Sequence, residues 1–403
     1  MYPAGGRQGT TVQVTVGGQF LVGVTDFRLD DSVIARAVNV ICMYKDKTLL
    51  VASCPANWHG AANFDTSELA RRSIYAYDAA TGQFLWGGRR YFWKRPVVIG
   101  QTVLAEPHAY DLRTGAPKTF ANPFTGEPEV WSLHRGYSGC GALLASGACI
   151  FGNGLGGFSH YNLQDDAGFT AFSNMSYACN INSVPGDGVF VSPEGRSGCA
   201  CATPIYTSIV LYPRQDAGEW AIYTPDPIAT TPVKRLAVNL GAPGARRDAQ
   251  GRFWLSYPMR TPSRSLAKWA PFLGDFDKQF YQYHENVLRV RGTDVPWVFA
   301  SGCRGPQELG FRLLDAGQPS AKYTVRLYFA EPDDLPAGQR VFGVSLQGRE
   351  ALKDFDIVRE AGAPRTALVK EFRGILVQDV LKISLTAKTG EPILCGLEAV
   401  REP

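Results

Sequence analysis

Apolar and polar residues alternate with a period of two along most of this chain, the pattern of half-buried β-strands rather than helices. Near the amino end, Thr10-Thr11-Val12-Gln13-Val14-Thr15-Val16 runs through Gly17-Gly18 into a second alternating stretch near 19–24. This predicts a β-hairpin within residues 1–34, a unit too small to fold alone. Over residues 35–233, short apolar runs predict strands near 38–43, 48–53, 96–99, 103–105, 188–192 and 207–212. Over residues 234–403 the alternation is longer and stronger, as in Tyr323-Thr324-Val325-Arg326-Leu327-Tyr328-Phe329 and Leu381-Lys382-Ile383-Ser384-Leu385. That region predicts a β-sandwich of several strands, so the fold class expected is all-β.

One turn signature recurs. Ile74-Tyr75-Ala76-Tyr77-Asp78-Ala79-Ala80-Thr81-Gly82-Gln83-Phe84-Leu85-Trp86 reads as strand, tight turn and strand, and His108-Ala109-Tyr110-Asp111-Leu112-Arg113-Thr114-Gly115 repeats it. A degenerate copy stands at Ser159-His160-Tyr161-Asn162-Leu163. The Asp side chain caps the turn amides, and Gly supplies the positive φ that closes the turn. Repeated short strands of this kind imply a β-propeller, and at about 40 residues per blade this stretch holds roughly five, so the propeller expected is partial or small. A Pro-rich run from Tyr223 to Pro232 predicts a stiff linker to the sandwich.

Composition narrows the function classes. Charged residues are 19% of the chain, below the roughly 25% usual in globular proteins, which argues against long solvated helices and coiled coils. Net charge is +4 with no basic tract, so no nucleic-acid partner is expected. No apolar run reaches the roughly 18 residues of a membrane span. The opening Met1-Tyr2-Pro3-Ala4-Gly5-Gly6 lacks the basic-then-apolar pattern of a signal peptide. The expectation is a cytosolic protein, a mature form, or a fragment whose leader lies elsewhere.

Two family resemblances emerge from these motifs. The Tyr-Asp-x-x-Thr-Gly-x-x-x-Trp pattern around Tyr77 to Trp86 resembles the repeat of PQQ-like (pyrroloquinoline-quinone-type) β-propellers. Together with Ser138-Gly139-Cys140-Gly141, Ala178-Cys179-Asn180 and Ser197-Gly198-Cys199-Ala200-Cys201, it is similar to bacterial multidomain proteins presumed to be exported. In the carboxy-terminal part, Asp248-Ala249-Gln250-Gly251-Arg252-Phe253-Trp254, Tyr328-Phe329-Ala330-Glu331-Pro332, Val341-Phe342-Gly343-Val344 and Lys353-Asp354-Phe355-Asp356-Ile357 follow the order of the malectin domain, a carbohydrate-binding jelly roll. The organisation these resemblances imply is a hairpin segment at 1–34, PQQ-like propeller repeats at 35–233 and a malectin-like sandwich at 234–403. An exported, periplasmic or cell-surface location follows from the same resemblance.

The malectin resemblance implies a pocket in which aromatic rings stack on sugar C–H faces and a carboxylate accepts hydroxyl hydrogen bonds. Trp254, Tyr257, Trp297 and Phe299 are the aromatic candidates, and Asp354 or Asp356 falls where the acidic residue belongs. Strand alternation puts both aspartates on one face, with Phe355 on the other. Core packing for the rings and loop capping for the aspartates are the alternatives. Where the family carries a paired aromatic, this chain has Cys303-Arg304-Gly305, and Arg304 would favour an acidic sugar.

The nine cysteines leave at least one thiol unpaired within the chain. Cys140, Cys149, Cys179, Cys199 and Cys201 read as inter-blade disulfides, as buried thiols, or as a metal site, although Cys-x-Cys is not the zinc knuckle spacing. His134 lies six residues before Cys140, beside that cysteine group; His59 and His108 fall on loops, where a general base would sit, but neither has a carboxylate at a recognisable spacing. A quinone enzyme should show acidic calcium ligands and a tryptophan floor, and no acidic cluster is visible, so neither PQQ nor calcium is expected.

The leading expectation is therefore a non-catalytic carbohydrate-binding or scaffold protein, its glycan or polysaccharide held by the malectin-like domain and its propeller offering a surface to a protein partner. The alternative is a propeller-based oxidoreductase or polysaccharide-degrading enzyme targeted by the sugar-binding module.

Overall fold

The computed structural model describes residues 38–45, 47–55, 72–92, 95–133, 143–154, 157–173, 184–192, 208–213, 218–222, 231–258 and 279–403. The hairpin expected within 1–34, most of the Pro-rich run, and the sequence around His59, His134, Cys140, Cys179, Cys199 and Cys201 lie outside the described residues. The chain divides into two compact units. The first comprises residues 1–119, 130–166 and 171–217, and the second comprises 120–129, 167–170 and 218–403.

The first unit is a succession of small sheets laid down in chain order. Strands Val38–Lys45, Thr48–Pro55, Ser73–Asp78 and Phe84–Arg89 form a four-stranded antiparallel meander. Val97–Ile99, Thr102–Ala105 and His108–Asp111 form the next, and Val184–Gly186, Val189–Ser192 and Ile209–Leu211 another. The turn signature has a packing reason as well as a local one. Asp78 Oδ1 accepts from the amides of Ala80 and Thr81, and Asp111 Oδ1 from those of Arg113 and Thr114. Trp86, at the end of the first copy, then lies against the second turn and donates from Nε1 to Leu112 O at 2.9 Å. Gly115 closes that second turn at φ +69°, and a Cβ there would stand 2.5 Å from the Trp86 ring. The glycine thus serves both the backbone and the neighbouring indole. Replacing it, Gly115→Ala, combines left-handed backbone strain of about 1–2 kcal/mol with an overpacked ring contact of about 1–3 kcal/mol. The expected result is an earlier loss of amide-exchange protection across residues 97–119 than across the sandwich.

The second unit is a β-sandwich. Its strands are β1 (Arg235–Leu240), β2 (Arg246–Arg247), β3 (Phe253–Tyr257), β4 (Gln279–Gln282), β5 (Ser301–Arg304), β6 (Glu308–Arg312), β7 (Ala321–Phe329), β8 (Val341–Leu346), β9 (Arg349–Phe355), β10 (Leu368–Val377), β11 (Val380–Thr389), β12 (Ile393–Leu394) and β13 (Gly396–Arg401). Two short helices interrupt them, α1 (Pro296–Phe299) and α2 (Ile357–Ala361). One sheet has the order β2-β3-β1-β13-β7-β10, a second β6-β11-β8-β9, and a small third β4-β5-β12. The β1–β3 pair is parallel, and the neighbouring pairs β1–β13, β13–β7 and β7–β10 are antiparallel.

Alternation builds the core directly. On β7, Ala321, Tyr323, Val325, Leu327 and Phe329 point inward and are buried, while Lys322, Thr324 and Arg326 face out. From the second sheet, Phe342, Val344 and Leu346 of β8 and Leu381, Ile383 and Leu385 of β11 meet them in one cluster. Phe329, Phe342 and Phe355 close this core as a triad, with ring centroids 4.8–6.1 Å apart.

Candidate functional site

At one end of the sandwich the termini of β3, β4 and β5 and the loop after β7 bring aromatic and charged side chains together. Tyr257 ends β3, and its ring meets Phe280 of β4 edge-on at 5.7 Å. Tyr281 is buried, with its ring 6.0 Å from that of Tyr283, which is 44% exposed just beyond β4. The close approach of the strands here depends on a glycine. Gly241, at φ +74°, lies where a Cβ would stand 2.5 Å from the carbonyl oxygen of Tyr281.

Arg304 ends β5, and its guanidinium lies 5.1 Å from the Tyr281 ring centre. It forms a two-pronged pair with Asp333, Nη1 to Oδ2 at 2.6 Å and Nη2 to Oδ1 at 3.0 Å. The hydrogen bond from Arg304 holds the Asp333 carboxyl below the usual carboxylate range. The pair therefore stays ionised through neutral and mildly acidic pH, and it is lost only as acid protonates Asp333 below its ordinary value. Behind it sits a buried support. Arg340 donates from Nε to Glu331 Oε2 at 2.6 Å, from Nη2 to Asp333 Oδ2 at 3.4 Å, and from Nη1 to the backbone carbonyl of Glu391. Glu331 in turn accepts from the amide of Asp333 at 3.1 Å. Arg365, between α2 and β10, adds an exposed pair with Asp334 of this loop at 2.8 Å. The arrangement offers the exposed Tyr283 ring beside a fixed set of hydrogen-bond donors and acceptors, the combination that suits hydroxylated, C–H-faced ligands.

The sequence-derived candidates separate in space. Tyr257 and Arg304 stand at this end. Trp254 is fully buried, donates from Nε1 to Asp248 Oδ2 at 2.9 Å, and packs edge-on against Tyr328 and Trp297. Trp297 and Phe299, on α1, are buried too, and Trp297 also meets Trp220 edge-on and carries the Arg246 guanidinium 4.7 Å from its ring centre. The surfaces of these three rings are taken up by packing. The two aspartates do not share a face. Asp354 adopts φ +49° and pairs with Lys388 at 2.7 Å on the exposed surface. Strand β9 ends at Phe355, so Asp356 leaves the strand alternation and becomes the N-cap of α2, accepting from the amides of Arg359 and Gly338. Its bond to Gly338 pins the loop that carries Arg340, so Asp356 supports the site from behind.

Asp333 and Arg340 were missed by sequence reading. The signal available was the cluster of charges in Glu331-Pro332-Asp333-Asp334 and Arg340, in a loop whose flanking strands are strongly apolar. Also missed was Asn122-Pro123-Phe124-Thr125-Gly126, another copy of the turn signature, in which Asn122 Oδ1 caps the amides of Phe124 and Thr125.

Of the cysteines, Cys303 and Cys395 are buried free thiols, their ionisation pushed up by burial to about 12 and about 11. Cys149 begins the strand Cys149–Gly154. His108 lies half-buried with Nδ1 3.4 Å from the Trp131 carbonyl. Among the described residues no group of three or more His, Cys, Asp or Glu side chains is placed to hold a metal ion. No helix among them is long and apolar enough to cross a membrane.

Residues 268–400 match the family model of the malectin domain, so a malectin domain occupies the larger part of the second unit. Within the curated proteins, a probable receptor-like protein kinase of Arabidopsis thaliana is 39% identical over 64 residues, which cover 15% of this chain and 8% of that protein. The matched stretch is thus less than a tenth of the relative's length. Among solved structures, the ANXUR2 extracellular domain from Arabidopsis thaliana aligns at 16% identity over 41% of this chain and 48% of its own, with a TM-score of 0.33. The FER–LLG2 complex with the plant peptide RALF23 aligns at 16% identity over 41% and 48%, with a TM-score of 0.32. A Bacteroides uniformis β-glucuronidase aligns at 12% identity over 90% of this chain and 28% of its own, with a TM-score of 0.33.

Proposed function

We propose that the chain is a non-catalytic glycan-binding protein that works outside the cytoplasm. Its malectin domain holds the sugar, and its amino-terminal unit, read as PQQ-like propeller blades, serves as an interaction platform. The observation that carries this reading is the Arg304–Asp333 pair over the Tyr281 ring, with the exposed Tyr283 ring 6.0 Å from Tyr281, at one end of the sandwich. The exposed Tyr283 ring supplies a stacking face. The pair supplies donors and acceptors already fixed in place, so little ordering entropy is lost on binding. Because Asp333 occupies two nitrogens of Arg304, hydroxyl recognition replaces the acidic-sugar preference that an unpaired arginine would give.

A glycan array probed with the full chain, with Tyr283→Ala and with Arg304→Ala tests this reading. Selective binding is expected for the wild type, falling about tenfold or more in each variant, as for contacts at the centre of a small interface. Tyr283 is half exposed, so its removal leaves the fold intact. A folded wild type that binds no glycan, or variants that bind as it does, would overturn the assignment.

A further inference from the structure

We infer a second binding site on the outer face of the six-stranded sheet, taking a saccharide that carries an oxyanion, either a carboxylate or a sulfate ester. It is independent of the loop-end site. The face holds a cleft of about 430 Å³ lined by Arg235, Thr324, Arg326, Glu371, Arg373 and Glu402, with Val400 in its floor. Strand register explains the gathering. Arg235 of β1 and Thr324 of β7 both pair with Val400 of β13, and Arg326 pairs across β10 with Glu371. Alternation then turns all these side chains away from the core.

The hydrogen-bonding balance of the cleft is uneven. Arg326 is locked between Glu371 at 2.7 Å and Glu398 at 2.8 Å. Glu371 also takes Nε of Arg373 at 2.8 Å, which uses both its oxygens and leaves the terminal fork of Arg373 without a partner among the described residues. That side chain is 79% exposed. Arg235, half exposed, comes no nearer to a carboxylate than 4.0 Å, from Glu398, and its guanidinium donates no hydrogen bond among the described residues. Glu371 and Glu398 thus engage Arg326, and the terminal nitrogens of Arg235 and Arg373 remain open at the cleft, which Glu402 also lines. Such forks match the geometry of carboxylate and sulfate oxygens.

The remaining lining adds an acceptor for ligand hydroxyls. Glu402 accepts from Thr324 Oγ1 at 2.9 Å and from the Gly374 amide at 2.8 Å through one oxygen, leaving the other for ligand hydroxyls. Among the described residues no aromatic ring lines the cleft to stack a nucleobase, and Val400 and Pro403 are its apolar lining.

The test is calorimetric titration of the full chain with an oligouronate, a sulfated oligosaccharide and a neutral oligosaccharide of matched length. The wild type should bind at least one of the two oxyanion ligands, more tightly than the neutral one, and the affinity should fall as salt screens the arginines. Which of the two binds identifies the oxyanion. Arg235→Ala/Arg373→Ala should weaken that binding about tenfold or more. Both residues are exposed, so the variant folds, and Arg304→Ala should leave this affinity unchanged. Equal affinity for the neutral ligand, no binding of either oxyanion ligand, or wild-type affinity in the double variant would overturn the inference. Loss in Arg304→Ala alone would place the ligand at the loop end instead and overturn it too.

Discussion

Replacing Arg340 by alanine should destabilise the malectin domain by about 3–5 kcal/mol, the range for breaking a buried ion pair by removing one partner. Glu331 is fully buried and Arg340 is 7% exposed, with 2.6 Å between Nε and Oε2. Without Arg340, the fully buried Glu331 carboxyl loses its charged hydrogen-bond partner. The carbonyl of Glu391 loses its donor as well. The loss would appear as a lower denaturant midpoint for the transition that reports on the second unit. A conservative exchange separates charge from geometry. Arg340→Lys keeps one positive charge but cannot reach Glu331, Asp333 and the Glu391 carbonyl at once, because an ammonium group is a single point and not a fork. It should recover part of the stability while leaving Asp333 less firmly placed against Arg304. A variant that unfolds at the wild-type midpoint would show that the pair contributes nothing net. Glycan affinity measured on Arg340→Lys, which stays folded, would then read the support it gives to the loop end. The expected result is weaker binding without loss of the Tyr257–Phe280 contact, visible as an unchanged aromatic circular dichroism signal.

The fold was more legible in the sequence than the site, and the residues show why. Strand alternation is a local property. Tyr323, Val325, Leu327 and Phe329 announce an inward face by their spacing alone, and β7 has that face. The Asp-x-x-Thr-Gly turns are local too, since Asp78 and Asp111 cap amides two and three residues on. Site residues obey no such period. Trp254 and Trp297 carry large rings in the right part of the chain, but aromatic residues serve cores and ligands alike, and what surrounds them is set by α1 and by Tyr328, far away in sequence. Asp356 was misplaced because alternation was carried one residue past the end of β9, where the chain turns into α2 and the side chain becomes a cap. Asp333 shows only as one charge in a local cluster, and its role follows from Arg304, which stands 29 residues earlier. Arg304 itself was found because it stood where the malectin pattern has an aromatic. Its pairing with Asp333 depends on a loop that only the fold brings near.

Phe329→Ala should cost about 3–5 kcal/mol, as truncations of buried phenylalanines do when the cavity cannot collapse. Collapse is difficult here for a geometric reason. Phe329 belongs to the six-stranded sheet and is fully buried, while Phe342 and Phe355 come from the second sheet, 6.1 Å and 4.8 Å from its ring. The two partners also pack on each other edge-on at 5.3 Å. The ring is therefore the bridge between sheets whose spacing is fixed by other strands, so the space it leaves stays largely open. Phe329→Leu fills most of that volume and should recover more than half of the loss, because volume-conserving swaps in a packed core cost less than about 1.5 kcal/mol. Chemical denaturation of the two variants beside the wild type measures both numbers. If alanine costs under about 1 kcal/mol, the sheets move together on truncation, and the triad is not what sets their separation. The effect should also reach the loop end. Phe329 is followed directly by Ala330 and by Glu331, whose carboxylate holds Arg340 and accepts from the Asp333 amide. A shift of β7 at Phe329 moves Glu331 with it. Phe329→Ala should therefore weaken glycan binding even where the protein remains folded, whereas Phe329→Leu should leave it near the wild-type value.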